Sequence, residues 1–155
     1  MEIKRDDLTG GEVISLLEEH LADMFATSPA ESVHALDVEA LKAPEITFFS
    51  GWIEHRLAGC VALKRLSDSE VELKSMRTVR DFRGQGVASK LLDHVISVAQ
   101  DAGCQRISLE TGTQDYFAPA RSLYQKFGFQ TCGPFSQYQL DPCSHFMTMS
   151  LTQSD

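Results

Sequence analysis

Arg83-Gly84-Gln85-Gly86-Val87-Ala88 separates two segments of opposite character. Val71 to Val79, before it, suits an extended strand. After it, Val87, Leu91, Leu92, Val95, Ile96 and Ala99 fall on one helical face over about four turns, with Lys90, Asp93, Ser97 and Gln100 toward water. A helix opening straight from a strand presents unpaired N–H groups, and its dipole favours negative charge. Glycines at such a start let the backbone approach an anion without obstruction. Arg77, Arg80 and Arg83 gather positive charge around it, in a chain whose net charge is −8. An anionic ligand at the turn is the natural inference. The Walker pattern G-x-x-x-x-G-K-[ST] is absent. A dinucleotide fingerprint would put Ser89 at its third glycine, although Glu110 falls about where a ribose-binding acid would. The polar residues of Glu70 to Val79, and its place closing a meander, argue further against that fold.

Outward from the turn, the period of the apolar residues changes twice. Glu2 to Asp6 suits a short strand, and Val13, Leu16, Leu17, Leu21, Met24 and Phe25 a helix that Ser28-Pro29 ends. Val38 to Lys42 is a second short helix, stopped near Pro44. Ile46 to Ile53 and Leu57 to Leu66 form a hairpin across Glu54-His55-Arg56, and Ser67-Asp68-Ser69 leads into the third strand of a meander. Beyond Gly103 come a strand at Arg106 to Thr111 and a helix at Pro119 to Phe127, opened by its proline. Two last strands are expected at Phe129 to Cys132 and His145 to Leu151. The order β-α-α-β-β-β-α-β-α-β-β gives a mixed α/β sheet in one layered domain, residues 1–155.

Composition narrows the function. The excess of acid disfavours nucleic-acid binding, which needs a basic surface, and is compatible with a cationic substrate such as an amine. No apolar run approaches the roughly 20 residues that span a bilayer. Met1 to Asp7 is charged, unlike a signal peptide, so the expected compartment is the cytoplasm, with no membrane partner. Cys60, Cys104, Cys132 and Cys143 are scattered and the five histidines add no metal-binding spacing, so free, mostly core thiols and no metal are expected.

Arg83-x-x-Gly86-x-Ala88 resembles the R/Q-x-x-G-x-G/A signature of the GCN5-related N-acetyltransferases (GNAT). Ala120-Arg121-Ser122-Leu123-Tyr124-Gln125-Lys126-Phe127-Gly128-Phe129 is similar to that family's second motif, A-x-x-L-Y-x-x-x-G-F. Both occur in order, on the expected elements. Glu72 to Thr78, Leu109-Glu110-Thr111-Gly112, Asp141-Pro142, Ser28 to Leu36 and Pro44 to Phe48 further resemble the small bacterial YsnE-type subgroup. The resemblance implies an acyl-CoA N-acyltransferase fold, a mixed and mostly antiparallel sheet flanked by helices. It implies acetyl-CoA as cosubstrate, with the main chain of Arg83, Gly84, Gln85, Gly86, Val87, Ala88 and Ser89 on its pyrophosphate and that of Met76, Thr78 and Val79 along its pantetheine. Two positions depart from the pattern. Arg80 stands where proline is frequent, and Phe117 where an asparagine often touches pantetheine.

The implied reaction is acetyl transfer to an amine. A lysine-like amine is mostly protonated at neutral pH, and freeing its lone pair costs roughly 4 kcal/mol. Glu72 is the candidate base, at a position where related enzymes often carry glutamate; a partner for Lys74, or a solvated strand face, is its alternative role. Which way it faces depends on whether a bulge, implied by the resemblance, interrupts the strand. Tyr124 is the candidate acid, donating toward the leaving sulfur, and a plain core tyrosine is the alternative. His34, Arg77, Glu110 and Tyr138 are candidates for the acceptor pocket, with ordinary surface or core roles the alternative for His34 and Tyr138, and a place in the pyrophosphate field the alternative for Arg77. Arg77 suggests a carboxylate-bearing amine, because guanidinium forks bind carboxylates. A small-molecule acceptor is expected. Acetylation of a protein or peptide, or a CoA-binding sensor without catalysis, are the alternatives, and a homodimer through the last strands is compatible with the sequence.

Overall fold

Strands β1 (Glu2–Arg5), β2 (Ile46–Ile53), β3 (Arg56–Arg65), β4 (Glu70–Thr78), β5 (Arg106–Gly112), β6 (Gln130–Cys132) and β7 (Ser144–Ser150) form one sheet in the computed structural model. Their order across it is β1-β2-β3-β4-β5-β7-β6. Helices α1 (Gly11–Thr27), α2 (Val38–Leu41), α3 (Val87–Asp101) and α4 (Ala118–Phe127) flank it. The structure describes residues 1–151; residues 152–155, the end of the expected domain, lie outside the described residues.

Alternation divides the sheet into two apolar faces. Phe49, Val61, Leu63, Val71, Leu73, Ile107 and Leu109 pack under α3 and α4. Phe48, Cys60 and Ala62 point the other way, against Val13, Leu16 and Leu17 of α1 and Leu41 of α2. Leu91, Leu92 and Val95 of α3 are wholly buried, each such side chain stabilising by roughly 1.5–3 kcal/mol. Close approach of α3 to β3 depends on Gly59. A Cβ there would stand 2.7 Å from the Arg77 carbonyl oxygen and about 3 Å from Leu91 and Val87. Cys60 is the sole fully buried thiol of the four, all free, so the expectation of mostly core cysteines holds for one of them.

Three local features differ from expectation. Glu54 and His55 alone turn the β2–β3 hairpin, both at positive φ (49° and 66°), as a two-residue type I′ turn requires. Phe25, expected on the buried stripe of α1, is 53% exposed, because the last turns of α1 run past the apolar face and bring His20 and Met24 to a cavity wall. Most consequentially, β4 is both the end of the β2–β3–β4 meander and the start of a β4–α3–β5 crossover, parallel to β5. Its polar residues do not keep it from the centre of the sheet: Glu72 is 2% exposed.

β4 and β5 pair only from Glu70↔Arg106 to Leu73↔Leu109. Beyond that rung they part. β4 continues to Thr78 on β3 alone, and β5 to Gly112 on β7 alone. A bulge marks the parting: Ala62 pairs with Lys74 and Cys60 with Arg77, leaving Ser75 and Met76 opposite Val61, with Ser75 at φ 54°. The extra residue changes the facing. Glu72, Lys74 and Arg77 look toward α1, while Met76 joins the core under α3.

Candidate active site

A cavity of about 480 Å³ fills the wedge between β4 and β5. On its β4 wall, residues 74–78 have no strand partner on the β5 side among the described residues, so main-chain groups of a central strand lie open, ready to take an added extended ligand. The strand then leads through a 3-10 turn (Arg80–Phe82) into the glycine loop and α3. Gly84 and Gly86 adopt φ 77° and 80°, with no atom within 4 Å of where a Cβ would stand on either. Gly86 caps α3 without any side-chain hydrogen bond to the first turn. The turn is open, and among the described residues no side chain caps its helix start.

Of the residues expected at this end, Met76, Thr78, Arg83, Gly84, Gly86, Val87 and Ala88 line the cavity. Val79, Gln85 and Ser89 do not. The Val79 N–H donates to the Ala58 carbonyl (2.8 Å), and the Gln85 amide reaches back to the Asp81 carbonyl (3.2 Å). Arg77 departs from the expected group of three arginines. It is buried, and its Nη2 donates to Glu19 (2.6 Å) and Asp23 (2.5 Å) of α1, a contact that, with burial, holds α1 beside the wedge. The positive field at the turn therefore comes from Arg83 and Arg80, both exposed.

The opposite end is built of side chains. Glu72 accepts from Lys74 Nζ (3.2 Å) and from the Tyr138 hydroxyl, and Lys74 also donates to Tyr138 Oη (2.9 Å). The Lys74 partnership of Glu72 is thus real, but buried rather than on the surface. His34 packs edge-on against the Tyr138 ring. All of these, with Glu110 and Arg77, line the cavity. Burial raises the Glu110 carboxyl to about 7; the Glu72 and Asp141 carboxylates add to this, and Ser144 and Lys74 act against it. Tyr138 is also pushed up, by burial and then by Glu72.

Tyr124, from α4, enters the wedge from the other face. It packs with Phe129, lines the cavity, and is pushed above the ordinary tyrosine range by burial and the Glu110 charge. It therefore keeps its proton at neutral pH. Phe117 packs so tightly on Gly112 that a Cβ there would fall 2.1 Å from its ring. It contributes an apolar wall where the family often has an amide.

Sequence reasoning missed His20, Lys74 as a cavity residue, and the segments that roof the acceptor end. His20 is neutral, its pKa pushed down to about 4 by burial and then by Arg77. The available signal was a polar residue four positions before Met24 on a buried stripe. The Ser32 hydroxyl donates to Asp141 (2.7 Å), and the Gln114 amide donates to the Thr27 carbonyl and Ser28 Oγ (3.2 Å each). Three segments are tied together in this way beside the cavity, which Ser28 and Ser32 line. His20 Nδ1, Ser75 Oγ and Arg77 Nε, all in lining residues, are buried without a partner among the described residues. Among the described residues no helix is long and apolar enough to cross a membrane.

With the geometry in place, comparison with known proteins is specific. The Acetyltransferase (GNAT) family model matches residues 13–129. The uncharacterized N-acetyltransferase YsnE of Bacillus subtilis (strain 168) is 53% identical over 97% of this chain and 100% of its own. The uncharacterized N-acetyltransferase YedL of Escherichia coli (strain K12) is 48% identical over 99% and 96%. Among solved structures, an aminoglycoside 6'-N-acetyltransferase complexed with coenzyme A superposes with a TM-score of 0.71, covering 100% of this chain and 99% of that one; at 16% identity it bears on the fold alone.

Proposed function

The chain belongs to the GNAT family of acetyltransferases, and we propose that it moves an acetyl group from acetyl-CoA to the primary amine of a cytoplasmic small molecule, both bound at once. The observation that carries this is the open glycine turn at the start of α3, continuous with the unpaired edge of β4 and with one cavity. The residues present fit the cosubstrate. Main-chain N–H groups from Arg83 to Ser89 suit a pyrophosphate, with Arg83 adding charge. The edge of β4 at Met76 and Thr78 suits pantetheine, leaving Val79 its carbonyl side only, since its N–H is bonded to β3. When bound, acetyl-CoA supplies the thioester whose acetyl carbon the amine attacks.

Two carboxylates, Glu72 and Glu110, qualify by position to take the ammonium proton. Tyr124 returns a proton to the departing sulfur; its buried hydroxyl stays protonated throughout the neutral range. The Ser32–Asp141 and Gln114–Ser28 contacts tie together loops at the acceptor end, which supports a small molecule over a peptide. A carboxylate on the acceptor would meet Arg77 only in part, since its Nη2 is taken by Glu19 and Asp23 while its Nε is left without a partner among the described residues.

Thiol release by the purified protein with acetyl-CoA, measured against amino acids, polyamines and peptides, tests this proposal. At least one small amine should release CoA faster than any peptide. Tight CoA binding by calorimetry with no release across the panel would instead make the protein a sensor.

A further inference from the structure

We propose that Glu110, not Glu72, is the carboxylate that takes the ammonium proton, with Glu72 a positioning residue that fixes Lys74 and Tyr138; this rests on the acetyl-transfer reading above. The sheet itself singles Glu110 out. The last rung between β4 and β5 is Leu73↔Leu109, so Glu110 is the first residue of β5 past the parting. Leu109 is committed to the core under α3. Glu110 faces the opposite way, into the cavity, at the level where it passes between the strands.

The two carboxylates differ in what already holds them. Glu72 is clamped by a buried ammonium and a phenol hydroxyl, so protonating it would break an ion pair from which water is excluded. Glu110 has no ion pair among the described residues. Its charged surroundings are Glu72 and Lys74 on β4 and Asp141 before β7, with Tyr138 and Tyr124 as neutral phenols. Burial brings it to about 7, much nearer than an ordinary carboxyl to an amine near 10. Tyr124 senses the Glu110 charge from the other face of the sheet. A base on one side of the wedge and an acid on the other flank the place where the reacting carbon must sit.

Protons and electron pairs balance along this route. An N–H bond of the ammonium breaks, its electron pair stays on nitrogen, and an O–H bond forms on Glu110. That lone pair then makes the N–C bond as the C–S bond breaks, and sulfur leaves with the Tyr124 proton. Tyr124 is restored by the second proton released from nitrogen, and Glu110 gives its own proton to solvent, one per turnover.

The test compares pH profiles of kcat/KM for the wild type, Glu110→Gln and Glu72→Gln, using an amine found in the thiol-release screen. The glutamate carboxyls of the ligand-free protein are titrated alongside by carbon NMR. Wild-type activity should rise with pH and level off near 7, and the NMR should show one carboxyl titrating there. Glu110→Gln should lose both features, drop about 100-fold or more at neutral pH, and climb steadily toward the pKa of the amine. Glu72→Gln should slow the enzyme while keeping the break, moved down rather than lost because the Glu72 charge adds to the Glu110 shift. A break that survives Glu110→Gln, or a Glu110 carboxyl titrating in the ordinary range, overturns the proposal. No thiol release from any amine, with Glu110 still titrating near 7, would remove the acetyl-transfer reading, and the destination of the proton with it.

Discussion

One mouth of the cavity is walled by main chain, the other by side chains. At the first, the edge of β4 and the start of α3 offer N–H and C=O groups, and the critical residues are glycines that stay out of the way. At the second, His34, Tyr138 and the β4 pair Glu72 and Lys74 hold one another by hydrogen bonds and ring contacts, with Glu110 of β5 lining the same end. A site made of backbone tolerates changes in side chains but not in backbone conformation. One made of side chains can be retuned residue by residue. The two ends should therefore fail differently.

The largest effect should follow from Gly86→Val. At φ 80° a β-branched residue is strained whatever the space around it, so calorimetry should show CoA binding weakened by about 100-fold or more, roughly 3 kcal/mol. Ordinary binding by this variant would break the comparison, because it would mean that backbone shape at the turn is dispensable. Next comes Tyr124→Phe, which leaves the main-chain mouth intact. Turnover should fall by about tenfold or more with CoA affinity unchanged, and full turnover would remove Tyr124 from the reaction.

Smaller effects sharpen the contrast. Glu110→Gln should stabilise the protein at alkaline pH. A carboxyl raised by folding favours the native state when protonated, so its contribution is full below the ordinary range and lost as pH rises through about 7. At about pH 8.5 the variant should gain roughly 3 kcal/mol over the wild type, a difference that closes toward pH 4.5 in thermal melts; no pH dependence would mean that Glu110 ionises freely. Smallest is Arg77→Ala assayed for CoA. Since Arg77 serves α1 and the acceptor wall, CoA affinity should change by less than about threefold while acceptor KM rises. A large loss of CoA affinity would return Arg77 to the pyrophosphate field.

The same contrast explains what the sequence made legible. Glycines between a strand and an amphipathic helix are contiguous, so the Arg83–Ala88 turn, the run of α3 and the Tyr124 motif can be read from neighbouring residues alone. The acceptor end depends on contacts between residues far apart in the chain. Nothing local to Tyr138 announces that it meets Glu72, or that Ser32 meets Asp141. The polar character of Glu72 and Lys74 even misdirected the reading of β4, because polar residues on a strand ordinarily signal water, and here they line a buried cavity. Glu54 and His55 form a type I′ turn without glycine or asparagine, so composition could not give the turn type.

The irregular rung at Ser75 has a consequence for how this strand can change length. Removing a residue from a central strand ordinarily turns everything downstream inside out. Here Ser75 and Met76 share one place opposite Val61, so losing Ser75 would restore even alternation and leave Arg77 and Thr78 on their present sides. The shortened strand should still fold, as circular dichroism can check, yet run straight where it now bends away from its neighbour. Such a chain would keep its architecture and lose the crease into which its substrates are meant to slide.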